Sequence, residues 1–194
     1  MLSVIIPTFK SERVLLATLS VLVAGAVDGI VREVIIADGG SRDATAEIAD
    51  ITGCRMLVST APLGARLHEA ATSALGPWLL FLRPGTSFEG SWIAEIRRFI
   101  AVAERSGEAE PFAGIFRRSA DAGVPRPIWR EAAGLIRAAL GRRDPRQGLL
   151  IAKRSYAALG GHRADVSDPE TDLLSRLGRK RITLLRCAAI MVEG

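Results

Sequence analysis

The chain has 194 residues, is 48% apolar, and sets 26 basic against 21 acidic side chains for a net charge of +5. That length and apolar content fit one ordinary domain with a real core. Two cysteines, Cys54 and Cys187, follow no metal spacing and exclude a disulfide framework; they are expected as buried free thiols. Met1-Leu2 runs straight into apolar sequence without the basic segment of a secretory leader. The uncharged stretch Val14 to Val27 falls short of the roughly 20 residues that span a bilayer.

In chain order, Ser3-Val4-Ile5-Ile6-Pro7-Thr8-Phe9 and Glu33-Val34-Ile35-Ile36-Ala37-Asp38-Gly39-Gly40-Ser41 are short β-branched runs closed by turn residues, the pattern of buried parallel strands. Between them, Leu15, Leu19, Leu22, Val23 and Ala26 recur at helical spacing. Strand, helix and strand at this length form a crossover unit, so both strands open on one sheet edge, where ligands of open α/β sheets bind. Ser41 is expected to cap a helix reaching Thr52, which Gly53 ends. A third strand is expected over 55–59, a helix over 63–75, a fourth strand over 78–82 and an amphipathic helix over 92–105. Beyond these, the pattern predicts a strand over 112–117 and a helix over 128–140. Short strands follow over 149–152 and 181–185, with a helix over 169–176 between them. The chain reads as a single α/β domain, 1–194, with a nucleotide-binding half over about 1–88 and an acceptor half over about 89–194.

The two opening blocks, Ser-Val-Ile-Ile-Pro-Thr-Phe with Ser11-Glu12 and Val-Ile-Ile-Ala-Asp-Gly-Gly-Ser-Arg-Asp-Ala-Thr, resemble the start of the family 2 glycosyltransferases. The likeness continues at Trp78 to Leu82 and at Gln147 to Gly161, and ends at Asp168 to Leu173. It resembles most the compact bacterial members without membrane spans. The resemblance implies a Rossmann-like A-type fold, a mostly parallel central sheet flanked by helices, and a cytoplasmic enzyme. That enzyme moves a sugar from a UDP- or GDP-linked donor to a hydroxyl acceptor with inversion. It further implies that Pro7, Thr8, Phe9 and Glu12 line the base and ribose pocket, that Asp38 and Gly39 contact the nucleoside, and that Gln147 lies beside the donor sugar. A cap role for Asp38 and Ser41 on the following turn is the other reading.

Two departures from the family pattern matter. Lys10 stands where an asparagine is usual. At the end of the fourth strand, the family carries aspartates whose last member holds Mg²⁺ or Mn²⁺; here the segment is Phe81-Leu82-Arg83-Pro84-Gly85-Thr86, with Gly85 in the ligand place. A hard divalent cation wants carboxylate oxygens, and none is offered, so no metal is assigned. Either Arg83 clamps the pyrophosphate in place of the metal, or the site has decayed into a non-catalytic nucleotide-sugar-binding or scaffold protein. Aligned on the following leucine, the family's catalytic carboxylate becomes Glu170. The alternative there is an ordinary helix start, with Asp168 as cap and Pro169 in the first turn. His68 and His162 are isolated and read as structural or solvent-facing; Trp78 reads as core, and Trp92 and Trp129 as packing.

Ten cations lie between Arg117 and Arg154 against three acids, Asp121, Glu131 and Asp144. No recognition motif or aromatic interleaving accompanies them, which argues against nucleic acid. Around the expected helix at 128–140 they flank an apolar face, the pattern of contact with an anionic membrane surface and a lipid-linked acceptor; a solvated face on a core-packed helix is the other reading.

Overall fold

The computed structural model describes residues 1–105, 112–118 and 147–192. The opening run forms β1 (Leu2–Thr8), followed by α1 (Glu12–Val27) and β2 (Val31–Asp38). Then come α2 (Thr45–Ile51), β3 (Arg55–Val58), α3 (Leu63–Ser73), β4 (Trp78–Phe81), β5 (Thr86–Phe88) and α4 (Trp92–Arg105). The remainder contributes β6 (Ala113–Arg118), β7 (Leu149–Ala152), α5 (Lys153–Ala158), α6 (Pro169–Leu177) and β8 (Ile182–Met191). The helix expected over 128–140 and Trp129 lie outside the described residues.

All eight strands join one sheet in the order β3-β2-β1-β4-β7-β6-β8-β5. The sheet is mixed. β3, β2, β1 and β4 are mutually parallel, as crossover connections require, and β6 runs parallel to β8. β7 is antiparallel to both β4 and β6, and β5 is antiparallel to β8.

Period-two alternation explains the two-sided core. Val4, Ile6, Leu80 and Leu82 pack with Leu15, Leu19 and Leu22 of α1 and Trp92, Ile96 and Phe99 of α4. Ile5, Ile35, Leu79 and Phe81 face the other way, against Leu67, Ala70 and Ala71 of α3 and Leu173, Leu174 and Leu177 of α6. Apolar side chains on both faces make these runs continuous rather than alternating. Trp78 is core, as expected, and Trp92 is packed against the same cluster.

Several local expectations shift for identifiable reasons. Ser41 does not cap α2. Its hydroxyl is taken by Asp38 at 2.5 Å, and Asp43 accepts instead from the Thr45 amide at 3.2 Å and hydroxyl at 2.6 Å. α3 stops at Ser73 because Ala74 is extended, and the Leu75 amide donates to Glu33 at 2.6 Å. β5 and α5 were not anticipated; β5 is three residues long and is held by pairing Thr86 with Met191 and Phe88 with Ala189 of β8. Both cysteines are free, but Cys54 is only half-buried. Buried Cys187 donates to the Glu89 carbonyl, and burial together with Glu95 and Glu89 pushes its thiol up to about 11. Among the described residues no helix is long and apolar enough to cross a membrane.

Candidate functional site

Register places the expected site on one edge. β1 and β2 end level, Thr8 opposite Asp38, while Ile5 pairs with Phe81. The residues following β4 therefore run alongside Pro7. Since Phe81 also pairs with Leu149 in the antiparallel β7, Leu82-Arg83 leaving β4 faces Gln147-Gly148 entering β7. Pro7, Thr8, Phe9, Asp38, Gly39, Arg83 and Gln147 thus converge from four adjacent strands onto the edge where ligands of such sheets sit.

Asp38 is fully buried, and its carboxylate is filled from within the chain. Oδ1 accepts from the Thr8 hydroxyl at 2.7 Å and the Ser41 hydroxyl at 2.5 Å; Oδ2 accepts from the amides of Gly40 at 2.8 Å and Ser41 at 2.7 Å. Burial alone would raise its proton affinity, but these bonds from Ser41, Thr8 and Gly40 outweigh it and hold the carboxyl below its ordinary value. In this conformation Asp38 organises the turn at 39–41 and presents no open lone pair.

What faces outward is the shell around it. Phe9 is 58% exposed at the strand tip, with Lys10 Nζ 5.6 Å from its ring centre. Lys10 has φ +51°, the left-handed region that asparagine tolerates better than lysine, and its amide donates to Ser41 Oγ at 2.8 Å. Gly39 sits between Phe9 and Arg66: a Cβ there would lie 3.2 Å from the Phe9 ring and 3.3 Å from the guanidinium. Arg66, on α3, was not singled out from the sequence. Its Nη1 donates to the carbonyls of Ala37 at 2.6 Å and Thr8 at 3.2 Å, and its Nε to Ala61 at 3.2 Å. Nη2 has no protein acceptor among the described residues. The available signal was modest: Arg66 is the one arginine or lysine in α3, two residues beyond Gly64.

Glu12 ties the start of α1 to the neighbouring loop. Its Oε2 accepts from the Ala44 amide at 2.9 Å, and its own amide donates to Asp43 at 3.2 Å, tying α1 to the approach to α2. Glu12 also lines an open cleft, together with Lys10, Arg13, Val14, Arg42 and Asp43.

The other end of the edge holds the arginine and glutamate singled out above, brought together across 87 positions of sequence. Arg83 Nη2 donates to Glu170 Oε2 in an ion pair. Glu170 is 6% exposed on the first turn of α6, whose start has the ordinary capped form: the Thr171 amide and hydroxyl donate to Asp168, and Pro169 opens the helix. The Arg83 side chain stays 35% exposed, and its buried Nε has no partner among the described residues.

The described residues at this end of the edge do not fit a divalent cation. Gly85 has φ +87°, and a Cβ there would lie 2.6 Å from the Val192 carbonyl oxygen. Val192 also donates its amide to the Gly85 carbonyl at 2.8 Å, so the chain after β8 fills the space a metal-binding side chain would use. Among the described residues no group of three His, Cys, Asp or Glu could hold an ion.

His162 is 3% exposed. Its amide donates to the Tyr156 hydroxyl at 2.9 Å, which leaves that hydroxyl to donate to Nδ1 at 2.9 Å. Burial, then the charge of Arg176 and the neighbouring His68, pushes its imidazole down to about 3, so it stays neutral. This is a packing role; the ring meets Phe81 edge-on with centres 4.9 Å apart.

Residues 3–106 match the family model described as Glycosyl transferase family 2. No curated protein sequence matches. Among solved structures, Staphylococcus aureus TarS 1–349 aligns at TM-score 0.66 and 16% identity, covering 98% of this chain and 60% of that one. The same TarS fragment in complex with UDP-GlcNAc aligns at TM-score 0.65 and 18% identity, covering 100% and 59%. Mycobacterium tuberculosis glucosyl-3-phosphoglycerate synthase, in complex with Mn²⁺, UDP and glucosyl-3-phosphoglycerate, aligns at TM-score 0.65 and 18% identity, covering 95% and 68%. At these identities the likeness is one of fold, the nucleotide-sugar transferase fold of A type, and the chain spans about 60% of the length of TarS 1–349.

Proposed function

The chain belongs to glycosyl transferase family 2, and we propose that it transfers a sugar from a nucleotide diphosphate donor to a hydroxyl acceptor, with inversion. The observation that carries this reading is the shared edge: an exposed aromatic, a glycine and an arginine at the tips of β1 and β2, with an arginine–carboxylate pair at the tip of β4. The base and ribose lie against Phe9, Gly39 and Arg66, with Pro7, Thr8, Glu12 and Asp38 shaping that end from beneath. UDP is the first nucleotide to test, since relatives of the same fold are solved with UDP and UDP-GlcNAc. Gln147 lies on the sugar side.

In the reaction the acceptor oxygen attacks the anomeric carbon as its bond to the diphosphate breaks, so the nucleoside diphosphate leaves with its electron pair. Charge builds on that leaving group, and a preorganised cation there is a large term in catalysis. Arg83 supplies it without metal, staying charged at any working pH. Glu170 accepts the proton of the acceptor hydroxyl.

The ten cations between Arg117 and Arg154 support a lipid-linked acceptor at an anionic surface, which suits a protein peripheral to the inner face of a bacterial membrane. The decisive experiment is transfer and donor hydrolysis across UDP- and GDP-sugars, with and without EDTA. Activity that survives EDTA and falls in Arg83→Ala is expected. Abolition by EDTA refutes the arginine in place of the metal. Nucleotide-sugar binding with neither transfer nor hydrolysis makes the protein a binding or scaffold member of the family.

A further inference from the structure

The proposed clamp and the proposed base are each other's counter-ion. As the pair stands, Arg83 and Glu170 sum to zero charge, so the pair itself offers a diphosphate no net attraction. The Val192 chain closes the place from which a divalent cation would otherwise supply that charge. A diphosphate laid against Arg83 must also sit beside a carboxylate that is 6% exposed on the first turn of α6. Like charges held close in a poorly hydrated place repel.

From this geometry we propose that the Arg83–Glu170 pair is a clasp which the donor's diphosphate opens: phosphate oxygens take the Arg83 guanidinium, and Glu170 is thereby released to act as base. The inference rests on the transferase reading above. Arg83 is suited to the exchange. It is bound to Glu170 through Nη2 alone, its buried Nε has no partner among the described residues, and a third of its side chain is open to solvent. A guanidinium presents five N–H donors in a planar fork, so phosphate can engage an Nη N–H that Glu170 does not use before the carboxylate lets go. A buried carboxylate that loses its cation becomes a better proton acceptor. The base is therefore masked while no donor is bound and switched on by the donor itself.

The alternative is that Glu170 merely holds Arg83 in position for phosphate, and the two roles predict opposite signs. If Glu170 competes with phosphate, Glu170→Gln frees the guanidinium and tightens UDP binding; if it positions Arg83, the same change weakens it. Calorimetric titration of UDP and of uridine into the full chain reads this directly. UDP is expected to bind several-fold to about tenfold more tightly in Glu170→Gln, less than a fully buried charge-assisted bond would give because Arg83 is a third exposed, while uridine is unchanged. Glu170→Asp, which retracts the carboxylate by one methylene, is expected to tighten UDP by a smaller factor and serves if the glutamine variant does not fold. In an Arg83→Gln background, adding Glu170→Gln is expected to have no effect on UDP. UDP affinity unchanged or weakened in the folded Glu170 variants overturns the clasp alone. No binding of UDP by the unaltered protein overturns the nucleotide site and the clasp with it.

Discussion

Gly85→Asp restores the acidic residue that the family places at the end of the fourth strand, and the structure predicts that it will cost stability without creating a metal site. Two terms set the size. A side chain at φ +87° leaves the conformations that L-residues favour, at about 1–2 kcal/mol. Its Cβ would also meet the Val192 carbonyl oxygen at 2.6 Å and Val14 Cβ at 3.5 Å, and the first of these is backbone that cannot turn aside. Relief requires Val192 to move, with loss of its 2.8 Å bond to the Gly85 carbonyl, about 0.5–1.5 kcal/mol. The sum, about 1.5–3.5 kcal/mol, corresponds to a fall in Tm of about 3–14 °C for a chain of this size. Thermal melting with and without Mn²⁺ and titration with Mn²⁺ check it. A variant that melts with the unaltered protein and is stabilised by Mn²⁺ would show that the chain after β8 yields readily, and the argument against a metal would fail.

Asp38→Ala orphans the Thr8 and Ser41 hydroxyls and the amides of Gly40 and Ser41, and is expected to cost about 3–5 kcal/mol in urea denaturation at pH 7. Because the folded-state proton affinity of Asp38 is lowered, its contribution is present above the ordinary value of 3.8 and lost as pH falls through the lower folded value; the gap between variant and unaltered protein should narrow toward pH 3. His162 acts over a higher range. The unfolded chain takes up its proton below about 6.5 and the folded chain only near 3, so stability should fall with pH by about 1.4 kcal/mol per unit across this window. His162→Phe should flatten the slope between pH 6.5 and 5; an unchanged slope refutes the neutral buried imidazole. In vesicle flotation at low salt, the arginine-rich stretch from 117 to 154 predicts recovery with anionic but not neutral liposomes; equal recovery counts against membrane contact.

The sequence alone determined those features whose cause is local. β1, β2 and β4 were legible because strands buried on both faces need unbroken apolar runs, and α1 and α4 because a helix against a sheet needs an apolar stripe at its own period. The crossover between β1 and β2 then pointed to their common edge as the candidate site, and the Asp168-Pro169 helix start was equally local. Tertiary structure decided whatever depends on a partner distant in sequence. β5 has three residues and no run of its own; it is a strand because β8 passes beside it. Asp38 followed by two glycines and a serine suits an open ligand or a closed turn equally well; three of the four donors to its carboxylate are local, and the fourth, Thr8, 30 residues away, arrives only through the pairing of β1 with β2. Arg66 reaches the site through carbonyls of β1 and β2, which no motif in α3 announces. Val192 occupies the place beside Gly85 because β8 runs antiparallel to β5 and ends there. Arg83 and Glu170 stood in the sequence as two separate expectations; folding α6 against the end of β4 made them one charged pair, since an electrostatic contact depends on distance in space and not along the chain.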